Sequence, residues 1–493
     1  MIILELLYCF SVAMLAVYGL NSLLLTGLFW RLSAGRPRSE PPPLPDSTCP
    51  RVTVQLPVYN ERHVVRRLVE AVAWLEWPAD RLQIQVLDDS TDDTRQLVAA
   101  VVEHQRSLGV NIEHIHRRNR QGFKAGALQA GLTRAEGEFI AIFDADFIPP
   151  PDFLQKTIPL FTDPRVGCVQ TRWGHVNPEF SLLTRAQALG IDGHFVVEQT
   201  ARWRIGTLLN FNGTAGVWRQ ACMDDAGGWQ GDTLTEDLDL SYRAQLKGWR
   251  IAYLPHVVTP AELPVQIDAF KRQQFRWAKG SIQTARKLMG RLWRSPYPGW
   301  VKLLSILHLT NYMVHPMMLL NLLLILPMMF APSILLWMTP LFTFTAIGPP
   351  LLYWTASRNT QLSSGRRLGR LAALIALGTG LSVNNTLAVG QALLNIPSEF
   401  QRTPKFAVTG QNRTWQKSTY ALPRTPTAWI ELLLALYSWS LLVTALLNQM
   451  WWVAPWVLLY AAGYTYVSGL AFVQAWQRRA ARTTAAASAS SSL

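Results

Sequence analysis

Span-length apolar runs flank residues 51–300, which contain none, and this division constrains the chain more than any single motif. Residues 1–30 form one apolar run broken only by Glu5 and Asn21. Further runs follow at 310–330, 332–355, 371–394, 427–447 and 452–474. About 20 consecutive apolar residues suffice to cross a bilayer as a helix. The first run is too long for the apolar centre of a secretory leader, opens with an acid and has its basic residues behind it (Arg31, Arg36, Arg38). It reads as a retained helix whose end faces the cytosol.

Charge sorts the remaining segments. Residues 357–370 carry Arg358, Arg366, Arg367 and Arg370; residues 401–424 carry Arg402, Lys405, Arg413, Lys417 and Arg424; the tail carries Arg478, Arg479 and Arg482. Cytosolic loops collect Lys and Arg, so all three belong on one side, and 371–394 is expected to be interfacial or re-entrant rather than crossing. Its Gly378, Gly380, Ser382, Asn384 and Asn385 agree with that. About five spans result. The net charge of +14 is then largely topology, and no nucleic-acid partner is expected. The four cysteines form no CxxC pair, so neither a disulfide framework nor a zinc site is expected.

Residues 51–300 alternate short apolar strands with amphipathic stretches, an α/β pattern. Two strand candidates end in polar clusters, VTVQLPVYN (52–60) and IQVLDDSTDDT (84–94). In such sheets ligands bind beyond the carboxyl ends of strands, so Asp88 and Asp89 suit a nucleotide, while Ser90, Asp92 or Asp93 can cap the next helix. No GxGxxG is present. After a third strand near 111–117, Lys124 stands at a helix start among Arg117, Arg118 and Arg120, where a phosphate is favoured. The fourth strand, FIAIFDADF (139–147), would present Asp144 and Asp146 on one face. Two such carboxylates call for a counter-charge, and Mg2+ or Mn2+ bridging to a diphosphate supplies it. Thr235 can cap a helix opening with Glu236 and Asp237; Asp237 is the candidate general base and Glu236 its neighbour. Gln273, Arg276 and Trp277 share one helical face, where Arg can hold phosphate and Trp can stack on a sugar.

Taken together and in this order, the DD of Asp88–Asp89, the DxD of Asp144–Asp146, the TED of Thr235–Asp237 and the QxxRW of Gln273–Trp277 resemble the processive family 2 glycosyltransferases, as in cellulose synthase. VLDDSTDDT, GFKAGAL, IFDADF, FNGTAGVWR, GGW and LKGW are similar to the cellulose-synthase-like A and C groups, the mannan, glucomannan and β-glucan synthases. The resemblance implies an α/β GT-A (Rossmann-like nucleotide-sugar-binding) domain joined to an α-helical transmembrane domain. It also implies inversion at the anomeric carbon, Asp89 on the nucleotide, Lys124 near the diphosphate, Asp144 and Asp146 on donor and metal, and Gln273, Arg276 and Trp277 between donor and acceptor. FQRTPK (400–405) resembles a gating loop at Phe400, Thr403 and Lys405, with Arg402 departing from the pattern.

The expected organisation is an N-terminal transmembrane helix (1–31), a Pro-rich linker (32–50), a cytosolic GT-A domain (51–300), a transmembrane region (301–476) with an interfacial helix (371–394) and gating-like loop (398–424), and a cytosolic tail (477–493). The expected activity is polymerisation of a β-linked polysaccharide from GDP-mannose or UDP-glucose onto a growing glycan in a lipid bilayer, with no partner subunit specified. His308, Asn311, His315 and Asn321 could serve a passing glycan or ordinary helix–helix hydrogen bonds. Addition of one sugar to a membrane lipid is the alternative, and a nucleotide-sensing transporter a more remote one. The compact length points to a bacterial plasma membrane.

Overall fold

A computed structural model describes residues 2–33, 44–330, 332–359, 362–409 and 414–490; most of the expected Pro-rich linker lies outside them. Seven strands form one sheet: β1 (Val52–Val58), β2 (Leu82–Asp88), β3 (Ile112–His116), β4 (Phe139–Ile142), β5 (Val166–His175), β6 (Gly216–Arg219) and β7 (Arg250–Ala261). Their order is β3-β2-β1-β4-β6-β5-β7. The first four run parallel; β6 is antiparallel to both β4 and β5, and β7 returns parallel to β5.

Alternation within β1 explains how this sheet is packed. Val52, Val54, Leu56 and Val58 face one core with Val69, Val98 and Phe153. Thr53 and Gln55 point the other way and are equally buried. The register sets them opposite Gln83 and Gln85, where Thr53 Oγ1 donates to Gln83 Oε1 (2.8 Å) and Gln55 Nε2 to Gln85 Oε1 (3.0 Å). These bonds offset part of the cost of burying polar groups. Helix Phe123–Leu132 closes over them at Gly131, where a Cβ would stand 2.5 Å from Gln55 Nε2. A second core of Leu128, Ile140, Trp218, Leu240 and Tyr253 lies on this side.

Strand order reverses at β1, whose neighbours β2 and β4 continue the chain in opposite directions. The crevice at this switch point, beyond the strand tips, is where such sheets hold ligands.

Among the described residues four helices are long and apolar enough to cross a membrane: Ile2–Leu32, Asn311–Met328, Thr427–Leu447 and Ala454–Ala481. Helix Pro332–Ala356 matches the remaining expected run and lies against the first helix; a Cβ on Gly348 would sit 2.2 Å from the Gly19 carbonyl oxygen. The run 371–394 is two helices, Ser364–Gly380 and Ser382–Leu393, bent by 44°, a geometry of a broken span or a re-entrant loop. His308 pairs with Tyr242 (2.8 Å), His315 with Asn385 (2.9 Å) and Asn321 with Ser11 (3.4 Å), so these three make helix-packing hydrogen bonds, the simpler of the two expectations.

Helix Ile267–Arg294 joins the two regions. Its Lys271 donates to Glu431 on helix Thr427–Leu447 at 2.5 Å, both side chains fully buried. Asn384 Nδ2 donates to the Lys271 carbonyl (3.0 Å). Removing one member of a buried pair strands the other charge. Glu431→Ala should therefore cost about 3–5 kcal/mol, whereas Lys271→Met with Glu431→Leu should recover most of it. Denaturant titration of the detergent-solubilised protein checks this; equal loss in single and double variants would deny the pair its role.

Candidate active site

β4 ends at Ile142, opposite Gly216, the first residue of β6, while β1 runs on to Val58 beside β2. The next residues leave the sheet. Asp144 N–H donates to Thr214 Oγ1 (2.9 Å), and Phe147 N–H closes a turn onto the Asp144 carbonyl (3.0 Å). The expected extended DxD is thus a turn, and its two carboxylates do not share a strand face. Asp144 Oδ1 meets Lys124 Nζ and Asp146 Oδ2 meets Lys405 Nζ, each at 2.5 Å.

Lys124 stands on the first turn of its helix after Gly122, which takes a left-handed conformation (φ 70°). Besides Asp144 it donates to the Gly213 carbonyl (3.0 Å). The charges of Asp144, Glu236 and Asp237 outweigh burial and raise its pKa, so it stays protonated. Gly213 lies against Asp237: with φ 84° it favours glycine, and a Cβ there would stand 2.8 Å from Asp237 Oδ2. Burial first, then Glu236, lifts the Asp237 pKa to about 7, opposed by Lys124 and Arg276. The Asp237 Oδ1 accepts the Leu238 N–H (2.8 Å). Thr235 does not cap this helix with its side chain; its hydroxyl lies 3.3 Å from that of Thr284.

Gln273, Arg276 and Trp277 all face the same cleft, an open space of about 1240 Å³ that they line with Asp89, Lys124, Asp144, Asp146, Glu236, Asp237, Phe400, Thr403 and Lys405. Arg276 sits over the Phe400 ring (4.4 Å to the centroid), and Trp277 approaches Trp173 (centroids 6.4 Å apart). Arg402, the departure from the gating pattern, reaches Glu61 (3.4 Å) and covers Tyr420 (4.3 Å).

Asp88, expected beside the donor, does not line the cleft. It is fully buried between β2 and β3, with Oδ1 accepting the Ser90 N–H (2.8 Å) and Oδ2 facing His114 Nε2 (2.9 Å). As the last β2 residue it points to the sheet's opposite face from Asp89, which the chain turns into the cleft. There Arg117 grips Asp89 bidentately (2.7 and 2.5 Å).

Several lining residues escaped the sequence reading. Glu61 has a pKa raised to about 8 by burial, partly offset by Arg402. Glu262, also raised by burial, accepts the Phe406 N–H (2.8 Å). His175 is held by Asp192 (3.1 Å) beside Trp173. Their only sequence signal was position at the ends of β1, β5 and β7.

The donor set fits a divalent cation. Seven carboxylates and five Arg and Lys side chains line the cleft, buried Glu262 keeps an oxygen without a hydrogen bond, and two lysine ammonium groups already occupy cationic positions at Asp144 and Asp146. Oxygen-only ligands are those Mg2+ and Mn2+ take.

Residues 50–280 match the family described as glycosyltransferase like family 2. Over 276 residues the chain is 45% identical to glucomannan 4-beta-mannosyltransferase 2 of Arabidopsis thaliana, covering 54% of this chain and 52% of that one. Over 253 residues it is 46% identical to glucomannan 4-beta-mannosyltransferase 1 of Oryza sativa subsp. japonica, covering 50% and 49%. The chain thus spans about half the length of the curated relatives it matches. These relatives are plant proteins and lend no support to a bacterial origin. A mannosyltransferase from Pyrobaculum calidifontis, solved in complex with GDP-Man and Mn2+, shares the fold with a TM-score of 0.51 at 22% identity, over 80% of this chain and 100% of that one. Over residues 50–280 the chain is thus similar to the family 2 glycosyltransferases, and its GT-A-like sheet agrees with that similarity.

Proposed function

We propose that this chain is a membrane-embedded inverting hexosyltransferase that extends a β-linked, mannan-type polysaccharide from a nucleotide-sugar, GDP-mannose first and UDP-glucose second. One observation carries the reading: a carboxylate poised near neutrality, Asp237, shares Lys124 with the DxD residue Asp144, and the QxxRW side chains form another wall of the same cleft. The mannosyl choice rests on the plant relatives.

In this reading Asp89, with Arg117 behind it, takes the nucleotide, and Lys124 and Arg276 take the diphosphate. A divalent ion on Asp144 and Asp146 would neutralise charge on the leaving diphosphate. Asp237 accepts the proton of the acceptor hydroxyl as that oxygen attacks the anomeric carbon and the nucleoside diphosphate departs. Trp277, with Trp173 and His175, borders the acceptor. Glu236 keeps the Asp237 proton affinity high by like charge. Phe400, Thr403 and Lys405 belong to a loop that enters from the membrane region and closes the cleft. The catalytic domain and this loop lie on the cytosolic side, the bent pair 364–393 is interfacial, and the glycan leaves between the membrane helices.

Incubation of the purified chain with labelled GDP-mannose or UDP-glucose and Mn2+ or Mg2+, followed by product sizing and linkage analysis, tests the activity. A polymer of β-linked hexose is expected; a single sugar on lipid, or no transfer, would refute it. Asp237→Asn should lower kcat by at least about 10²–10⁴-fold with donor affinity retained. Because the base must be ionised, kcat/KM should fall about tenfold per pH unit below pH 7 and level off above it; a profile flat through pH 6–8 would remove Asp237 from that role. Lys405 competes with a cation for Asp146, so Lys405→Ala should lower the half-saturating Mn2+ concentration roughly three- to tenfold, equivalent to about 1 kcal/mol. An unchanged Mn2+ dependence would exclude that competition.

A further inference from the structure

A second cluster of ligating side chains lies on the β2–β3 pair, outside the cleft. The parallel register sets His116 directly opposite Asp88, and His114 opposite Val86. As i and i+2 residues of one strand, the two histidines share a face, and both turn toward one oxygen. Asp88 Oδ2 is 2.9 Å from His114 Nε2 and 3.4 Å from His116 Nδ1. All three ligand atoms lie within 4.8 Å of one another.

The protein groups do not satisfy this arrangement by themselves. Asp88 Oδ2 takes the His114 contact, Oδ1 is engaged by the Ser90 N–H, and His116 Nδ1 is buried with no hydrogen bond. Ligands held about 2.1 Å from a common Zn2+ lie roughly 3.0–3.5 Å apart, close to the two spacings observed. The Asp88 carboxylate is fully buried while the imidazoles are 15% and 20% exposed, so a bound ion would keep a side open to water. Two imidazoles and one carboxylate favour a borderline transition ion over Mg2+.

We infer that Asp88, His114 and His116 form a binding site for a divalent transition ion of the Zn2+ class, separate from the DxD and independent of the proposed transfer reaction. The Ser90 N–H fixes the carboxylate, as outer partners of metal ligands do. The ion would join the tips of two neighbouring strands at residues adjacent in sequence to Asp89 and Arg117. Arg117 N–H donates to the Asp88 carbonyl (3.0 Å), and its guanidinium also holds the Phe123 carbonyl (3.0 Å) one residue before Lys124. The site would therefore hold in register the tips of β2 and β3, next to Asp89 and Arg117.

The full chain in detergent, stripped with a chelator and titrated with Co2+ in excess Mg2+, tests this. One equivalent of Co2+ should bind with a visible d–d band. His114→Asn and His116→Asn, at partly exposed positions, should each weaken it by more than the about 10–100-fold that loss of an outer partner costs. Asp144→Asn combined with Asp146→Asn should leave the band intact. Absence of Co2+ binding by the wild-type chain in Mg2+ would overturn the site, as would a band lost only with the DxD substitutions or insensitive to both histidines. Loss of sugar transfer activity alone would bear on the proposed function and not on this ion.

Discussion

Carboxylates crowded beyond the tips of β1 and β4 cannot remain ionised in a low-dielectric crevice without cations beside them. This constraint organises the molecule. Lys124 arrives from the helix after β3 and neutralises Asp144; Lys405 arrives from a segment that follows most of the membrane helices and neutralises Asp146. Arg402 from that segment offsets Glu61, and the Glu262 carboxylate and carbonyl hold Phe406 and Lys405 in turn. The cleft is therefore built by two parts of the chain that are distant in sequence, and its electrostatics bind one to the other.

The QxxRW helix is the mechanical counterpart of that link. One face of Ile267–Arg294 gives Gln273, Arg276 and Trp277 to the cleft. Elsewhere on the same helix Lys271 is locked to Glu431 in the membrane region, and Lys279 Nζ donates to the Ile396 carbonyl (2.7 Å) and Ser398 Oγ (2.8 Å) at the base of the loop that carries Phe400. A rigid helix that touches the cleft, a membrane helix and the loop anchor holds all three in fixed relation. Beyond Ser398, Phe400 rests between Arg276 and Phe123.

Much of this was legible from residue pattern. Strand periodicity located β1 to β4, apolar run length located the membrane helices, and the QxxRW spacing placed three side chains on one face as the helix requires. The failures share one cause. Where a strand ends is set by its tertiary surroundings, so the DxD read as extended although β6 begins opposite Ile142 and the Thr214 hydroxyl takes the Asp144 N–H. Consecutive residues at a strand tip part company, so Asp88 and Asp89 read as one motif although one faces two histidines and the other the cleft. Glu61, Glu262 and His175 gain meaning only when strand tips converge, and no local pattern marks them. Thr235 looked like a helix cap, but packing against Gly280 and Thr284 claims its side chain.

The shared lysine gives the proposed reaction an order. Lys124 is among the nearest opposing charges that hold down the Asp237 proton affinity, while burial and Glu236 push it up. A diphosphate in the cleft brings negative charge that competes for Lys124. As the ammonium turns toward phosphate, Asp237 loses part of its counter-charge and becomes the stronger base. The Gly213 carbonyl, which also holds Lys124, and the bare Gly213 α-carbon, which leaves Asp237 room, permit that shift without moving the backbone. In the proposed reaction an Asp237 that is ionised when the donor arrives would then take up the acceptor proton more readily, while a larger share of the carboxylate would be protonated near pH 7. Proton abstraction from the acceptor is thereby coupled to the presence of the sugar it is to receive.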